Sequence, residues 1–135
     1  MNIVTLTILI AVFAAVTLYF VYNKPNNTPK DSASSDAKVI DQLRKAGSDL
    51  GKIHEIEFFF YFPTEASASK ISDQLNTDGF KTNFRKAADN NNWVVFATKE
   101  MVPELSAIEN LSIKFNSIAA AEHGKYDGWE TQVRD

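Results

Sequence analysis

The chain has 135 residues, 44% hydrophobic and 23% charged, with a formal net charge of −3 and no cysteine. That length and composition allow one small globular domain with something added. The acidic balance argues against broad binding of nucleic-acid phosphates, and the missing thiols exclude disulfides, thiolate catalysis and thiolate metal sites.

Residues 3–22, IVTLTILIAVFAAVTLYFVY, contain no charge, no glycine and no proline. A run of about 20 apolar residues can cross a hydrocarbon core as a helix, and threonine hydroxyls can bond back to helix carbonyls. Tyr19 and Tyr22 fall where interfacial aromatics are expected. Only Met1 and Asn2 precede the run, and Tyr22-Asn23-Lys24-Pro25 is a poor cleavage site. Residues 1–23 therefore read as an uncleaved single-pass anchor in the lipid bilayer rather than a signal peptide. Lys24 and Lys30 flank its carboxyl end, which places the rest of the chain on the cytoplasmic side of the inner membrane. Residues 24–35, dominated by Pro, Asn, Ser and Lys, are expected to be a flexible linker, and residues 36–135 the folded domain.

In that domain Asp36 is expected to cap a helix running to Lys45, with Val39, Ile40, Leu43 and Ala46 on one face and Gly47 at the stop. IHEIEFFFYF (residues 53–62) has strong strand composition. Its even positions Ile56, Phe58, Phe60 and Phe62 make a wholly apolar face. The odd positions Glu55, Glu57, Phe59 and Tyr61 make a face that is acidic at one end and aromatic at the other. Pro63 ends the strand. Thr64 caps a second helix with Glu65 in its first turn, Ala68, Ile71 and Leu75 on one face, and Gly79 at the stop. Phe80 to Lys86 alternates again, with Phe80, Thr82 and Phe84 one way and Lys81, Asn83 and Arg85 the other. ADNNN (88–92) is turn chemistry, and Trp93 to Lys99 pairs back as a hairpin. Pro103 opens a long helix to about Glu122, whose expected core stripe is Leu105, Ile108, Leu111, Phe115 and Ile118. Gly124 stops it, and Tyr126-Asp127-Gly128-Trp129 enters a final edge strand. The resulting α+β order is βαββαβ, a ferredoxin-like antiparallel sheet, with an extra N-terminal helix and a single transmembrane helix ahead of it.

With these elements in place the chain resembles the family of the regulator of ribonuclease E activity, B type. The resemblance rests on KAGSDL (45–50), IHEIEFFFYF (53–62), LNTDGFK (75–81), WVVFATKEMVPE (93–104) and above all GKYDGWET (124–131). It spans about residues 36–131. It implies the fold just described and a non-enzymatic role as a protein-binding inhibitor or modulator of a ribonuclease E-type endoribonuclease or its degradation assembly. Against the family pattern, an N-terminal membrane anchor is added and a long acidic C-terminal tail is not expected.

No reaction chemistry is legible. His54 and His123 read as surface residues, and neither has carboxylates at metal-ligand spacing. Glu55 and Glu57, two apart on a strand, read as a solvated edge, and no elbow serine or phosphate loop is present. The reading is thus not an enzyme, with no cofactor and no metal. Two surfaces remain as binding candidates. The rim at Tyr126, Asp127 and Trp129 is the candidate partner-binding site, weighed against a purely structural role packing across the long helix. The outer sheet face, with Phe59 and Tyr61 beside Lys81 and Arg85 and with Trp93 as a further aromatic, is the alternative: a stacking platform for RNA. The helix at 36–45 is expected to cover that face, because its apolar stripe has no other evident place to go. A structural domain of an envelope assembly is a third reading.

Overall fold

The first strand, β1 (His54–Phe62), organises the molecule. Ile56, Phe58, Phe60 and Phe62 are completely buried, while Glu55, Glu57, Phe59 and Tyr61 point to the other side. The computed structural model describes residues 29–89 and 91–135, with side chains from Ser35 onward. The expected anchor lies outside the described residues, among which no helix is long and apolar enough to cross a membrane.

Ahead of β1 comes helix α1 (Pro29–Lys45). It begins earlier than expected, inside the segment read as linker. Proline suits the first helical turn, because its φ is already helical and its absent N–H has no partner there to lose. Asp36 is therefore an interior helical residue and not a cap. After β1, Thr64 caps α2 (Glu65–Thr77) by accepting a hydrogen bond from the Ser67 N–H at 3.2 Å, and the helix buries Ala68, Ile71 and Leu75. Strands β2 (Lys81–Lys86) and β3 (Trp93–Met101) form the hairpin. Its loop is closed by Asp89, whose carboxylate accepts from the backbone N–H groups of Asn91 (3.0 Å) and Asn92 (3.2 Å). Those bonds, with one from the Asn92 side chain, hold the Asp89 carboxyl below its usual range. Helix α3 (Leu105–Ala121) and strand β4 (Lys125–Thr131) follow. At the turn between them a Cβ on Gly124 would collide with the Phe62 ring and the Tyr61 carbonyl, so the close approach requires glycine.

The sheet order is β2-β3-β1-β4, with every neighbouring pair antiparallel. This is the interleaved order that two right-handed βαβ crossovers produce, as the element sequence predicts. The core lies between the inner sheet face and the helices. Phe115 is its hub, meeting the rings of Phe58 and Phe60 edge-on at 5.1 Å, Tyr126 at 5.4 Å and Phe80 at 5.6 Å. The deepest α3 positions are Ile108, Ser112, Phe115 and Ala119, whereas Leu105, Leu111 and Ile118 pack half-buried along its flanks. The expected stripe was rotated slightly from the true one because Ser112 and Ala119, though not large and apolar, face the core.

Helix α1 does not cover the outer sheet face. It lies beside α3 and against β4, on the same side as the other helices, with Ile40 and Leu43 in the core. The physical reason is the width of the sheet. Helix α3 covers Tyr126 through Phe115 and Ser112, and α1 completes the cover of the β4 edge at Trp129, whose indole N–H bonds to Asp36.

Candidate functional site

Among the described residues the outer face of the sheet is therefore bare. Cross-strand register arranges it in rungs. Arg85, Val94, Tyr61 and Lys125 form one end. Asn83, Phe96, Phe59 and Gly128 come next. Lys81, Thr98, Glu57 and Glu130 follow, and Glu100 opposite Glu55 closes the far end. Phe59 and Phe96 meet edge-on at 5.7 Å, and the Arg85 guanidinium lies over Phe96 at 5.1 Å. Tyr61 stays exposed. One end is thus aromatic with cations on both flanks, while the other gathers Glu55, Glu57, Glu100 and Glu130 around an open depression that Arg134 also lines.

Of the residues singled out from sequence, this face brings together Phe59, Tyr61, Lys81 and Arg85. Trp93 is not among them. It pairs with Phe62 and so points to the inner face, where its ring meets Phe84 at 6.2 Å. Phe96, which sequence reasoning passed over, holds the central position instead. Its signal was available: it alternates with Val95 and Ala97, both buried.

The Tyr126-Asp127-Gly128-Trp129 block is the edge strand β4, with a register shift opposite Phe59 and Phe60 and a left-handed Gly128 (φ 102°). Asp127 is exposed and pairs with Lys125 at 3.5 Å. Tyr126 and Trp129 are buried. The Trp129 indole N–H donates to Asp36 Oδ1 at 2.9 Å, fastening α1 to β4. Ser112 Oγ reaches the Tyr126 hydroxyl at 3.5 Å. Ser112 also lies near Asp36, but Asp36 Oδ2 has no hydrogen bond of good geometry. Burial raises the Asp36 carboxyl above its ordinary value. Ser112 and Trp129 offset part of that rise, and Glu109 adds to it. Burial likewise pushes the Tyr126 phenol up. Two of the three rim residues therefore clamp a helix from inside, leaving Asp127 as the one a partner can reach.

His54 is fully buried, not a surface residue. Its Nδ1 faces the Lys52 carbonyl and its Nε2 faces Ser48 Oγ, each at 2.8 Å. The carbonyl can only accept, so Nδ1 donates to it, and Nε2 shares a hydrogen bond with the Ser48 hydroxyl. Ser48 Oγ in turn accepts from the Arg134 N–H at 3.0 Å, and the Asp49 N–H donates to the Arg134 carbonyl at 2.7 Å. The pair resembles a nucleophile with its base, but the hydroxyl is covered by backbone and serves to latch the end of the chain. No group of three or more His, Asp or Glu among the described residues is placed to hold a metal ion.

Fold and surface define a two-layer α+β domain whose polar clusters act as fasteners and whose sheet, among the described residues, is open on one side. The family model for Regulator of ribonuclease activity B matches residues 33–131, and the chain belongs to that family, a family of regulators of ribonuclease activity. No curated protein matches the chain.

Proposed function

We propose that this protein is a non-catalytic, membrane-tethered regulator that docks on a ribonuclease E-type endoribonuclease or its degradation assembly. The observation that carries the reading is the outer sheet face, where Phe59, Phe96 and Tyr61 stand beside Arg85 and Lys125 with no helix of the described residues over them. Aromatic anchors flanked by charge are the composition of protein interfaces. Asp127, on the edge strand beside Lys125, extends the same surface. Regulation then follows from occlusion or conformational bias of the partner, without covalent chemistry. A chain held by residues 3–22 in the inner membrane, with its domain in the cytoplasm, gains effective concentration toward a membrane-associated partner.

The test is affinity capture of the full chain from its native membrane at moderate salt. Recovery of a ribonuclease component with the wild type, and its loss with Phe59→Ala, is the expected result. Recovery of no ribonuclease component overturns the reading, as does a C-terminal reporter active only in the periplasm.

The same face supports a second reading, an RNA platform built from Phe59, Tyr61, Lys81 and Arg85. It requires salt-sensitive binding of single strands. The four carboxylates at the other end of the face oppose a polyanion laid along the strands, which is why the protein partner is preferred.

A further inference from the structure

The sheet has two edges, and they are treated differently. Strand β4 is interrupted by its register shift and left-handed glycine, and α1 packs against it. Strand β2 is regular over all six of its residues, pairs among the described residues only with β3, and contains neither proline nor bulge. The Ala87 N–H donates to the Asn92 carbonyl at 2.8 Å. Antiparallel alternation then turns the backbone groups of Arg85, Asn83 and Lys81 toward β3 and those of Thr82 and Phe84 outward, while the Lys86 carbonyl already accepts from the Arg85 guanidinium at 3.5 Å. The outward donors and acceptors of Thr82 and Phe84 are a template for another strand.

The side chains say which strand. The six residues KTNFRK carry Lys81, Arg85 and Lys86 and no acid, in a chain of net charge −3. Two identical β2 edges would repel each other, so the charge selects against a second copy. It selects for carboxylates. On the outer face are Lys81, Asn83 and Arg85, and neither Lys81 nor Arg85 forms an ion pair among the described residues. On the inner face are Thr82 and Phe84, followed by Lys86 over the Trp93 ring at 5.7 Å. A strand laid beside β2 is therefore matched when acidic residues alternate with apolar ones, the acids facing outward beside Lys81 and Arg85 and the apolar side chains beside Phe84.

We propose that the β2 edge is a strand-addition site for an extended acidic segment of a partner protein, in which carboxylates alternate with apolar residues. This rests on the reading of the chain as a protein-binding regulator and gives that partner a chemistry. The probe is a capped synthetic peptide of alternating glutamate and valine, titrated into the full-length chain. Amide exchange should slow at Thr82 and Phe84. The exposed double variant Lys81→Glu/Arg85→Glu, with an unchanged circular dichroism spectrum, should bind about tenfold more weakly, and Lys81→Gln/Arg85→Gln should fall between. Protection at β4 instead, equal binding of a lysine-valine peptide, or oligouridine binding more tightly than the acidic peptide overturns the site. If native capture recovers the ribonuclease equally with wild type and charge-reversed chains, the edge proposal fails and the docking reading stands. If the peptide protects β2 but neither chain recovers a ribonuclease, the edge stands and the partner reading falls.

Discussion

Asp36 is the only buried carboxylate among the described residues, and it sits where α1, α3 and β4 meet. Glu109 on α3 and the Tyr126 phenol on β4 are the titratable groups acting on it. Its carboxyl is raised above the ordinary value, chiefly by burial, so the folded chain holds that proton more tightly than the unfolded chain does. The stabilisation from the protonated form is complete below the unfolded value and is lost as pH rises through the folded one. Asp36→Asn keeps an acceptor for Trp129 and removes the charge. It should match the wild type in acid below the ordinary aspartate value and exceed it by about 1 kcal/mol at neutral pH, the scale of one poorly satisfied buried polar group. Urea unfolding of both chains across that range checks this, and a wild type more stable than the variant at neutral pH refutes it. Sequence reasoning placed Asp36 at a helix start because aspartate is a common cap. Its partner, Trp129, is remote in sequence, and no local pattern could reveal the bond.

Adjacent residues of β1 separate stability from binding. Phe60 is fully buried between Phe115 and Tyr126, so Phe60→Ala leaves a cavity and should cost roughly 3–5 kcal/mol. Phe59 lies one position away on the bare face, touching Phe96, and its loss should cost about 1 kcal/mol in stability. Denaturation midpoints measure both. A Phe59→Ala chain as unstable as Phe60→Ala would mean that the outer face is covered after all. This strand was also the most legible element, because period two in IHEIEFFFYF assigns each phenylalanine a side without further information. The Thr64 cap, the Gly79 stop and the β2–β3 hairpin were equally local and equally readable. What could not be read was the side of the sheet on which α1 settles. That depends on which surface the other helices leave unprotected, a property of the assembled layers and not of the α1 stripe. The burial of His54 was hidden for a similar reason, since the Ser48 hydroxyl that meets its ring is itself held by the Arg134 N–H from the far end of the domain.

For the whole molecule, α1 is the element that joins the domain to what precedes it. It is fastened by Ile40 and Leu43 in the core and by the Asp36–Trp129 bond, so a force applied at residue 29 is resisted inside the domain. The domain's own core is formed by residues 40–129, all within the segment starting at Pro29. A chain beginning at residue 29 should therefore fold with the same urea midpoint as the domain in the full-length protein. It should also appear in the supernatant after a carbonate wash, while the full chain stays in the membrane pellet, because only the latter carries the apolar run at 3–22. Capture efficiency then separates affinity from tethering. If the anchor serves to confine a weak binder, the shortened chain should show the same intrinsic dissociation constant for its partner in solution. It should recover much less partner from cells, by about the factor that confinement to one membrane gives, on the order of a hundredfold. A shortened chain that recovers the partner equally well would show that residues 3–22 add nothing to regulation. A full chain released by carbonate would remove the anchor itself.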